Sequence, residues 1–381
     1  MKDTKVSISL FSGAMGLDLG LEQAGIDIAI GQDFNASCIR TMEANGRKAI
    51  LGDICNIEPE QLLSASLSFG EPFLICGGPP CQPFSTAGKR LGINDPRGSL
   101  FREYVRMIDA IRPRFFVMEN VKGLMSAPLK DENGQNTSGK VIDIILEEFS
   151  KLHYKTVFGV LDAVNYGVPQ FRERFVMIGS RDNEDIFLPI PTHFQTHQNA
   201  SNRWITLGDA IKDLENHPGE CAEFSPSRLK YLKMVPEGGN WKNLPSDILQ
   251  EAMGGAYKSG GGKVGFYRRL SYSQPSPTVV TSPIQKATMM CHPTQDRPLS
   301  VSEYARIQQF PDSWKIIGTT VDKYRQIGNA VPVGLAKAIG AAIVSVADGT
   351  STIQVKRIRG TGIHEKIQDA IQLGGINNYD T

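Results

Sequence analysis

The chain has 381 residues, of which 40% are hydrophobic and 21% charged, and these proportions exclude wholesale disorder. Its 41 lysines and arginines nearly balance 40 aspartates and glutamates, so a net charge of +1 excludes a protein that is polycationic throughout. Six cysteines and six histidines complete neither a disulfide scaffold nor a zinc pattern. No apolar run approaches the ~20 residues that span a bilayer, and the first residues carry no apolar signal core. We therefore expect a cytoplasmic protein of two domains with no metal and no membrane partner.

Strand-like and helix-like segments alternate over residues 1–180, the first predicted domain. A strand at 6–11 leads into a turn at 12–16 and a helix that ends at Gly25. Further strands are predicted at 26–30, 73–76, 115–118 and 175–178, and helices through Ala44, at 100–111 and at 141–152. The short apolar runs bounded by glycine and proline are typical of buried parallel strands. The alternation predicts an α/β fold with a doubly wound, Rossmann-like sheet.

The sequence pattern changes after Gly179, and we predict a second, smaller, mostly irregular or β domain over 181–312. Residues 224–290 hold nine basic and three acidic side chains, a local net charge of +6, with interleaved aromatic residues. Such a segment suits contact with phosphates and bases, although a solvated irregular domain would have the same composition. Helices are predicted at 300–309 and 333–347. Residues 313–348 return to the first domain, and 349–381 form a polar tail.

The turn Phe11-Ser12-Gly13-Ala14-Met15-Gly16 follows the first strand, at the sheet edge where ligands bind. Asp33 comes 20 residues after Gly13, a spacing that suits a carboxylate bonding ribose hydroxyls. The alternative is a tight strand–helix turn without a ligand. Asp53 follows the third strand and is either an adenine ligand or a helix N-cap.

The run Gly-Pro-Pro-Cys-Gln-Pro-Phe-Ser at 78–85 follows a buried strand. Its prolines fix φ and rigidify the turn, which places Cys81 at the carboxyl edge of the sheet beside the glycine loop. Cys76, within the strand, fits a small hydrophobic core residue. Cys81 is better interpreted as a nucleophile that reacts as its thiolate.

Six motifs in order resemble those of the DNA (cytosine-5)-methyltransferase family, over about residues 6–345. They are the glycine loop 11–16, the run 78–85, Glu-Asn-Val at 119–121, Gln-Phe-Arg-Glu-Arg at 170–174, the segment 297–311 that begins Arg-Pro-Leu-Ser, and Gly-Asn-Ala-Val-Pro at 328–332. The resemblance implies a bacterial restriction-modification type of enzyme with S-adenosylmethionine as cofactor. RNA cytosine-5 methyltransferases share much of this core, and a catalytically silent DNA-binding protein or thiol switch is the rival from another class.

The resemblance implies a nucleophile, a proton donor and a cation around the target cytosine. Cys81 would add to C6 of the base, and Glu119 would hold or donate a proton at N3. Arg174 would bind O2 and orient Glu119, with Arg172 as the second candidate for stabilising charge. From the residues alone, Glu119 could instead cap a helix, and both arginines could form surface ion pairs.

The resemblance also assigns cofactor contacts. These are Phe11, Gly13, Gly16, Asp33, Asp53, Pro80, Leu100, Asn329 and Ala330. The chain departs from the family at Met15, where glycine is usual. A strict alignment places the usual acidic ribose ligand one or two residues before Asp33.

Double-stranded DNA is the implied substrate, and its target base must be turned out of the stack. We expect the loop 82–97 to close over DNA with Ser85 and Lys89 on the backbone, and Thr278 to support the flipped nucleotide. Gln170 is a further candidate DNA contact. Arg268 and Arg269 would contact either guanines or phosphates. A restriction endonuclease with the same target site is an implied partner, and a monomer is expected because one flipped base needs one active site.

Overall fold

The computed structural model describes residues 5–66, 71–80, 99–130, 136–196, 199–258 and 264–351. Seven strands form one twisted sheet in the order β3-β2-β1-β4-β5-β9-β8. These strands are β1 (Val6–Leu10), β2 (Asp27–Asp33), β3 (Ala49–Leu51), β4 (Leu74–Gly77), β5 (Phe115–Val121), β8 (Lys155–Asp162) and β9 (Glu173–Ser180). A separate hairpin joins β6 (Pro128–Lys130) and β7 (Asn136–Lys140).

The sheet confirms the predicted Rossmann-like class, with one difference in direction. Strands β1 to β5 pair in parallel, whereas β9 runs antiparallel to both β5 and β8. The strand β8 was not predicted from the sequence. This edge strand is mostly half-buried, so it lacks the uniform apolar run that marks a central strand.

Helices cover both faces of the sheet. The helices of the described residues are α1 (Gly16–Gln23), α2 (Ala36–Ala44), α3 (Pro59–Ser66), α4 (Ser99–Ile111), α5 (Val141–Lys151), α6 (Leu207–Ile211), α7 (Pro226–Leu232), α8 (Leu249–Met253), α9 (Val301–Ile307), α10 (Thr320–Asn329) and α11 (Val333–Ala347). One core lies between the sheet and α3, α4 and α5, where Phe116 stacks on Phe149 with ring centroids 4.2 Å apart. The other lies under α1 and α11, where Leu21, Leu335 and Ile339 are fully buried.

Residues 181–300 are irregular, as the sequence predicts. Their described portions contain α6 to α8, short 3-10 turns and isolated bridges such as Arg269–Cys291, but no strand of a sheet. The β character expected there is therefore confined to single bridges. An apolar cluster centred on Leu232 and Cys291 holds this segment together.

A third apolar cluster crosses the predicted boundary at residue 312. Tyr304 and Ile307 of α9 pack with Tyr324 of α10 and with Leu19 of α1. The helix α10 has no counterpart in the sequence prediction, because it is polar overall and buries only a narrow face. Only residues 349–351 of the predicted tail lie within the described ranges.

Within the described ranges, one helical stretch is long and apolar enough to cross a membrane, Thr320–Ala347. It comprises α10 and α11, which are separated at Pro332. Over half of its most apolar window is buried inside the fold, where α11 packs on α1. Core packing accounts for its apolar composition.

Candidate active site

A cavity of about 720 Å³ opens at the carboxyl edge of the sheet. Its walls come from the segments that follow β1, β2 and β4, from the end of β5, from the start of β9 and from the end of α10. Parallel strands direct their carboxyl ends to one edge, so residues distant in sequence converge there. Among the predicted site residues, the lining includes Phe11, Gly13, Gly16, Asp33, Pro80, Leu100, Glu119, Arg172, Arg174, Asn329 and Ala330.

The glycine loop is held in an unusual backbone conformation. Phe11, Gly13 and Met15 have φ values of 54°, 56° and 66°. Met15 takes the left-handed conformation that favours glycine, and its side chain is buried against Cys38 and Met42. The departure from the family's usual glycine thus preserves the backbone shape and adds apolar packing.

Asp33 reaches the cavity at the end of β2. Its Oδ2 accepts a hydrogen bond from the Gly13 amide at 2.9 Å, and its Oδ1 accepts one from Asn35 at 2.8 Å. Burial raises the pKa of this carboxyl, although the backbone amides oppose the rise. The next residue, Phe34, also lines the cavity and is 72% exposed. Phe34 was not predicted as a site residue from the sequence, where its signal is an aromatic residue directly after a strand-ending acid.

Asp53 is outside the cavity lining. Its carboxylate caps the 3-10 turn Ile54–Asn56 and accepts from the Cys55 amide at 3.0 Å. This is the N-cap that the sequence allowed as an alternative. The Gly52 amide donates to the Asp33 carbonyl, so Asp53 nonetheless stands beside the Asp33 end of the cavity.

Glu119 and Arg174 form a buried ion pair on the inner wall. Glu119 lies on β5 and Arg174 on the adjacent β9, and Arg174 Nε is 2.8 Å from Glu119 Oε1. The two side chains are 11% and 14% exposed, so this is neither a helix cap nor a surface pair. Burial raises the pKa of Glu119, and the charges of Arg174 and Arg172 only partly oppose it. The pair can therefore hold a proton and a positive charge side by side.

The proline turn is fixed against this wall. Asn120 Nδ2 donates to the Pro79 carbonyl at 2.8 Å. A Cβ on Gly78 would lie 3.0 Å from Glu119 Oε2, so glycine allows the turn to pass close to the carboxylate. The turn leads directly into Cys81. Cys81, Ser85 and Lys89 lie outside the described residues.

Arg172 has a different environment from Arg174. It is 1% exposed, and its guanidinium donates to the carbonyls of Val279, Gly328 and Ala330 at 2.8–3.0 Å. Its Nε has no hydrogen-bond partner among the described residues. The alternative that Arg172 forms a surface ion pair, which the sequence allowed, is therefore wrong. The geometry gives Arg172 a structural role, since both terminal nitrogens are engaged by the backbone.

Two of the candidate DNA contacts are internal. Gln170 is fully buried and bonds the Gln308 side chain at 2.7 Å and the Val279 amide at 3.1 Å. Arg269 is 5% exposed, and all five of its N–H groups are directed at protein acceptors, Asp296 among them. Neither side chain is free to contact DNA in this structure, so the expectation that Gln170 and Arg269 contact DNA is corrected.

The other candidates are nearer the surface. Arg268 is half-buried, and its Nε donates to the Met289 carbonyl. Thr278 is half-buried, and its hydroxyl donates to the Phe171 carbonyl at 2.6 Å, next to Arg172. Thr278 therefore stands close to the wall that carries Arg172 and Arg174, and its support of a bound nucleotide stays a prediction.

Comparisons with known proteins find a matching family and several similar proteins. The sequence profile of the family described as C-5 cytosine-specific DNA methylase matches residues 6–345. The Type II methyltransferase M.PspPI of Psychrobacter sp. is 41% identical over 88% of this chain and 78% of its own length. The Type II methyltransferase M.Eco47II of Escherichia coli is 37% identical over 91% and 82%. A solved structure assigned as a DNA modification methyltransferase encoded within an E. coli prophage has a TM-score of 0.64, with 23% identity over 90% of this chain and 99% of its own.

Proposed function

Because the chain belongs to the C-5 cytosine-specific DNA methylase family and is a Type II, sequence-specific DNA cytosine-5 methyltransferase, we propose that it uses S-adenosylmethionine, a flipped-out cytosine and a covalent Cys81 adduct. The observation that carries this proposal is the buried Glu119–Arg174 pair, on the wall of a cavity that the glycine loop also lines. One enclosed space can then hold the cofactor and the target base together.

The cavity fits the cofactor. Its volume of about 720 Å³ lies in the range of small-molecule sites. A Cβ on Gly16 would lie 2.3 Å from the Val331 carbonyl, so glycine is required where the first and last parts of the chain meet. When bound, S-adenosylmethionine supplies an electrophilic methyl group on its sulfonium.

We assign the adenosine to the Asp33 end of the cavity. Asp33 would accept from the ribose hydroxyls through its remaining lone pairs, and exposed Phe34 offers a face for the adenine. Contact of Asp53 with the adenine amino group stays a prediction. Phe11, Pro80, Leu100 and Asn329 would complete the site.

The protein groups then act on the cytosine ring. The Cys81 thiolate adds to C6, while Glu119 donates a proton to N3 and Arg174 donates hydrogen bonds to O2. The addition makes C5 nucleophilic, and C5 would take the methyl group as the bond from that group to the sulfonium sulfur breaks, which leaves a neutral thioether. A base then removes the C5 proton, the thiolate leaves C6, and N3 returns its proton.

The depth of the site supports the proposal of an extrahelical base. Glu119 is buried and lies behind the proline turn, so a base stacked in a duplex cannot reach it. Thr278, Arg268, Ser85 and Lys89 are our proposed DNA contacts. We further propose a monomer that works in the cytoplasm, beside the DNA, with a restriction endonuclease of the same specificity as its partner.

The test is bisulfite sequencing of unmethylated plasmid DNA after incubation with the purified protein and S-adenosylmethionine. We expect protection at one cytosine of a single short motif. Cys81→Ala should lower the methylation rate by at least ~10³-fold and retain DNA binding, because only the nucleophile is lost. The matched control is Cys55→Ala, an exposed cysteine outside the cavity, which should behave as wild type.

Two outcomes would contradict the proposal. Unchanged turnover of Cys81→Ala would remove the covalent mechanism. Methyl incorporation into transfer RNA but not into duplex DNA would favour the RNA-modifying alternative.

A further inference from the structure

Three arginines line the described wall of the cavity, and they differ in how far the protein engages them. Arg174 pairs with Glu119 at 2.8 Å, and Arg172 donates to three backbone carbonyls. Arg325 makes a single long contact, from its Nη1 to Asp322 Oδ1 at 3.5 Å, and its side chain is 50% exposed. It is therefore a cation at the cavity whose donors are largely uncommitted within the described structure.

The helix α10 directs Arg325 toward the cavity. Arg325 and Asn329 are four residues apart and so share one helix face, and both line the cavity. The helix is anchored at the adjacent residue, because Gln326 accepts a hydrogen bond from Thr41 at 2.7 Å and donates to the Ile317 carbonyl at 2.8 Å. The base of the Arg325 side chain is thus fixed although its end is exposed.

The start of α2 also contributes to the cavity wall. Asn35 and Cys38 line the cavity there together with Asp33. Burial raises the pKa of the Cys38 thiol to about 12, and Arg325 is close enough for its charge to oppose that rise. Arg325 on α10 and Cys38 on α2 thus line the same cavity.

The charges of the proposed cofactor suit this cation. S-adenosylmethionine carries one anionic group at neutral pH, the carboxylate of its methionine arm. Its sulfur bears three substituents, which cannot point the same way. If the adenosyl group lies toward Asp33 and the methyl group toward Glu119, the third arm takes a separate direction, and Arg325 and Asn329 are further lining residues that it could meet.

We propose that Arg325 binds the carboxylate of the cofactor's methionine arm, an inference that rests on the proposed use of S-adenosylmethionine. A guanidinium can donate two parallel hydrogen bonds to a carboxylate, and such charge-assisted bonds are stronger than neutral ones. The weak contact to Asp322 would give way, because the Thr319 cap already satisfies Asp322 through its other oxygen.

The experiment measures equilibrium binding by calorimetry, with no turnover. The ligands are S-adenosylmethionine and its decarboxylated form, which lacks only the carboxylate. We expect Arg325→Met to weaken binding of S-adenosylmethionine by ~10-fold and to leave binding of the decarboxylated ligand unchanged. Arg325→Lys should recover part of the loss. The control is Arg40→Met, which removes an exposed arginine close to Asp322 that does not line the cavity.

Each other outcome contradicts the inference in its own way. Equal weakening of both ligands would mean that Arg325 shapes the pocket without binding the carboxylate. Unchanged affinity for both, with weaker binding of a DNA duplex, would make Arg325 a phosphate contact. If the wild-type protein binds neither ligand, the proposed cofactor itself is wrong and this inference falls with it.

Discussion

Two carboxyl groups at the cavity show how ion-pair and hydrogen-bond partners determine the protonation state of a buried acid. Glu119 is paired with Arg174, whereas the oxygens of Asp18, in the first turn of α1, make no hydrogen bond within the described structure. Burial raises the pKa of Asp18 to about 7, although nearby Ser9 favours the ionised form. An unpaired buried carboxylate is costly, so the fold favours the protonated acid.

We predict that Asp18→Asn changes the pH dependence of stability. Below its ordinary pKa of 3.8, Asp18 is protonated in both the folded and the unfolded chain, so its titration does not change the free energy of unfolding. As the pH rises toward 7, only the unfolded chain releases the proton, so the free energy of unfolding of the wild type falls. Between pH 4 and pH 8, the free energy of unfolding of the variant should rise by up to ~4 kcal/mol relative to that of the wild type.

Urea denaturation of both proteins from pH 4 to pH 8 measures this gain, since contributions from all other groups cancel in the difference. Parallel stability curves would show that Asp18 has an ordinary pKa in the folded protein.

At the scale of elements, the contact between α1 and α11 joins the two ends of the described chain. Gly20 makes the close approach possible, because a Cβ there would lie 2.3 Å from the Val333 carbonyl and 2.4 Å from the Ala336 Cβ. A Cβ on Gly340 would lie 2.7 Å from the Ala24 Cβ across the same contact. Small residues on both helices let α11 cover one face of the sheet, and α11 in turn leads back to the cavity wall at Ala330.

We predict that Gly20→Ala lowers the free energy of unfolding by ~2 kcal/mol or more. Alanine has the higher helix propensity by ~1 kcal/mol, so any loss must come from the clash with α11. The control is Gly123→Ala, where an added Cβ would meet no atom within 4 Å. Chemical denaturation of the two variants separates these effects, and a stabilised Gly20→Ala would show that the helices can move apart freely.

At the scale of the whole molecule, Arg172 joins three separate parts of the chain. It lies beside the start of β9 and binds the end of the irregular segment at Val279 and the end of α10 at Gly328 and Ala330. The irregular segment and the returning chain are thereby held against the sheet at the cavity. Arg174, two residues later, is the arginine that pairs with Glu119, and we propose that it acts in the chemistry.

We predict that substitution of Arg172 mainly lowers stability, whereas substitution of Arg174 mainly lowers turnover. Arg172→Met leaves three buried carbonyls without their donor, so it should lower the free energy of unfolding by ~3 kcal/mol and weaken cofactor binding. Arg174→Met should retain cofactor binding and lower kcat by ~100-fold or more, because it removes the cation proposed to contact the cytosine O2. Denaturation, calorimetry and methylation rates of both variants test this, and a reversed pattern would exchange the two roles.

Several features of the protein could be predicted from residue patterns. Apolar runs bounded by glycine and proline marked the strands at 73–76 and 115–118, because a strand buried on both faces must be apolar throughout. The motifs from 11–16 to 328–332 indicated the family and its DNA chemistry, and the family match confirms them. Local sequence carries this information because a turn or a reactive group is specified by a few adjacent residues.

Tertiary structure alone decided which predicted side chains are available to a ligand. Gln170, Arg172 and Arg269 are polar residues in promising positions, yet each is buried and bonded to backbone or side chains far away in the sequence. The same holds for the acid–base balance of Glu119, where burial outweighs two neighbouring arginines. Burial and long-range hydrogen bonds depend on which segments pack together, and no local pattern of residues encodes that.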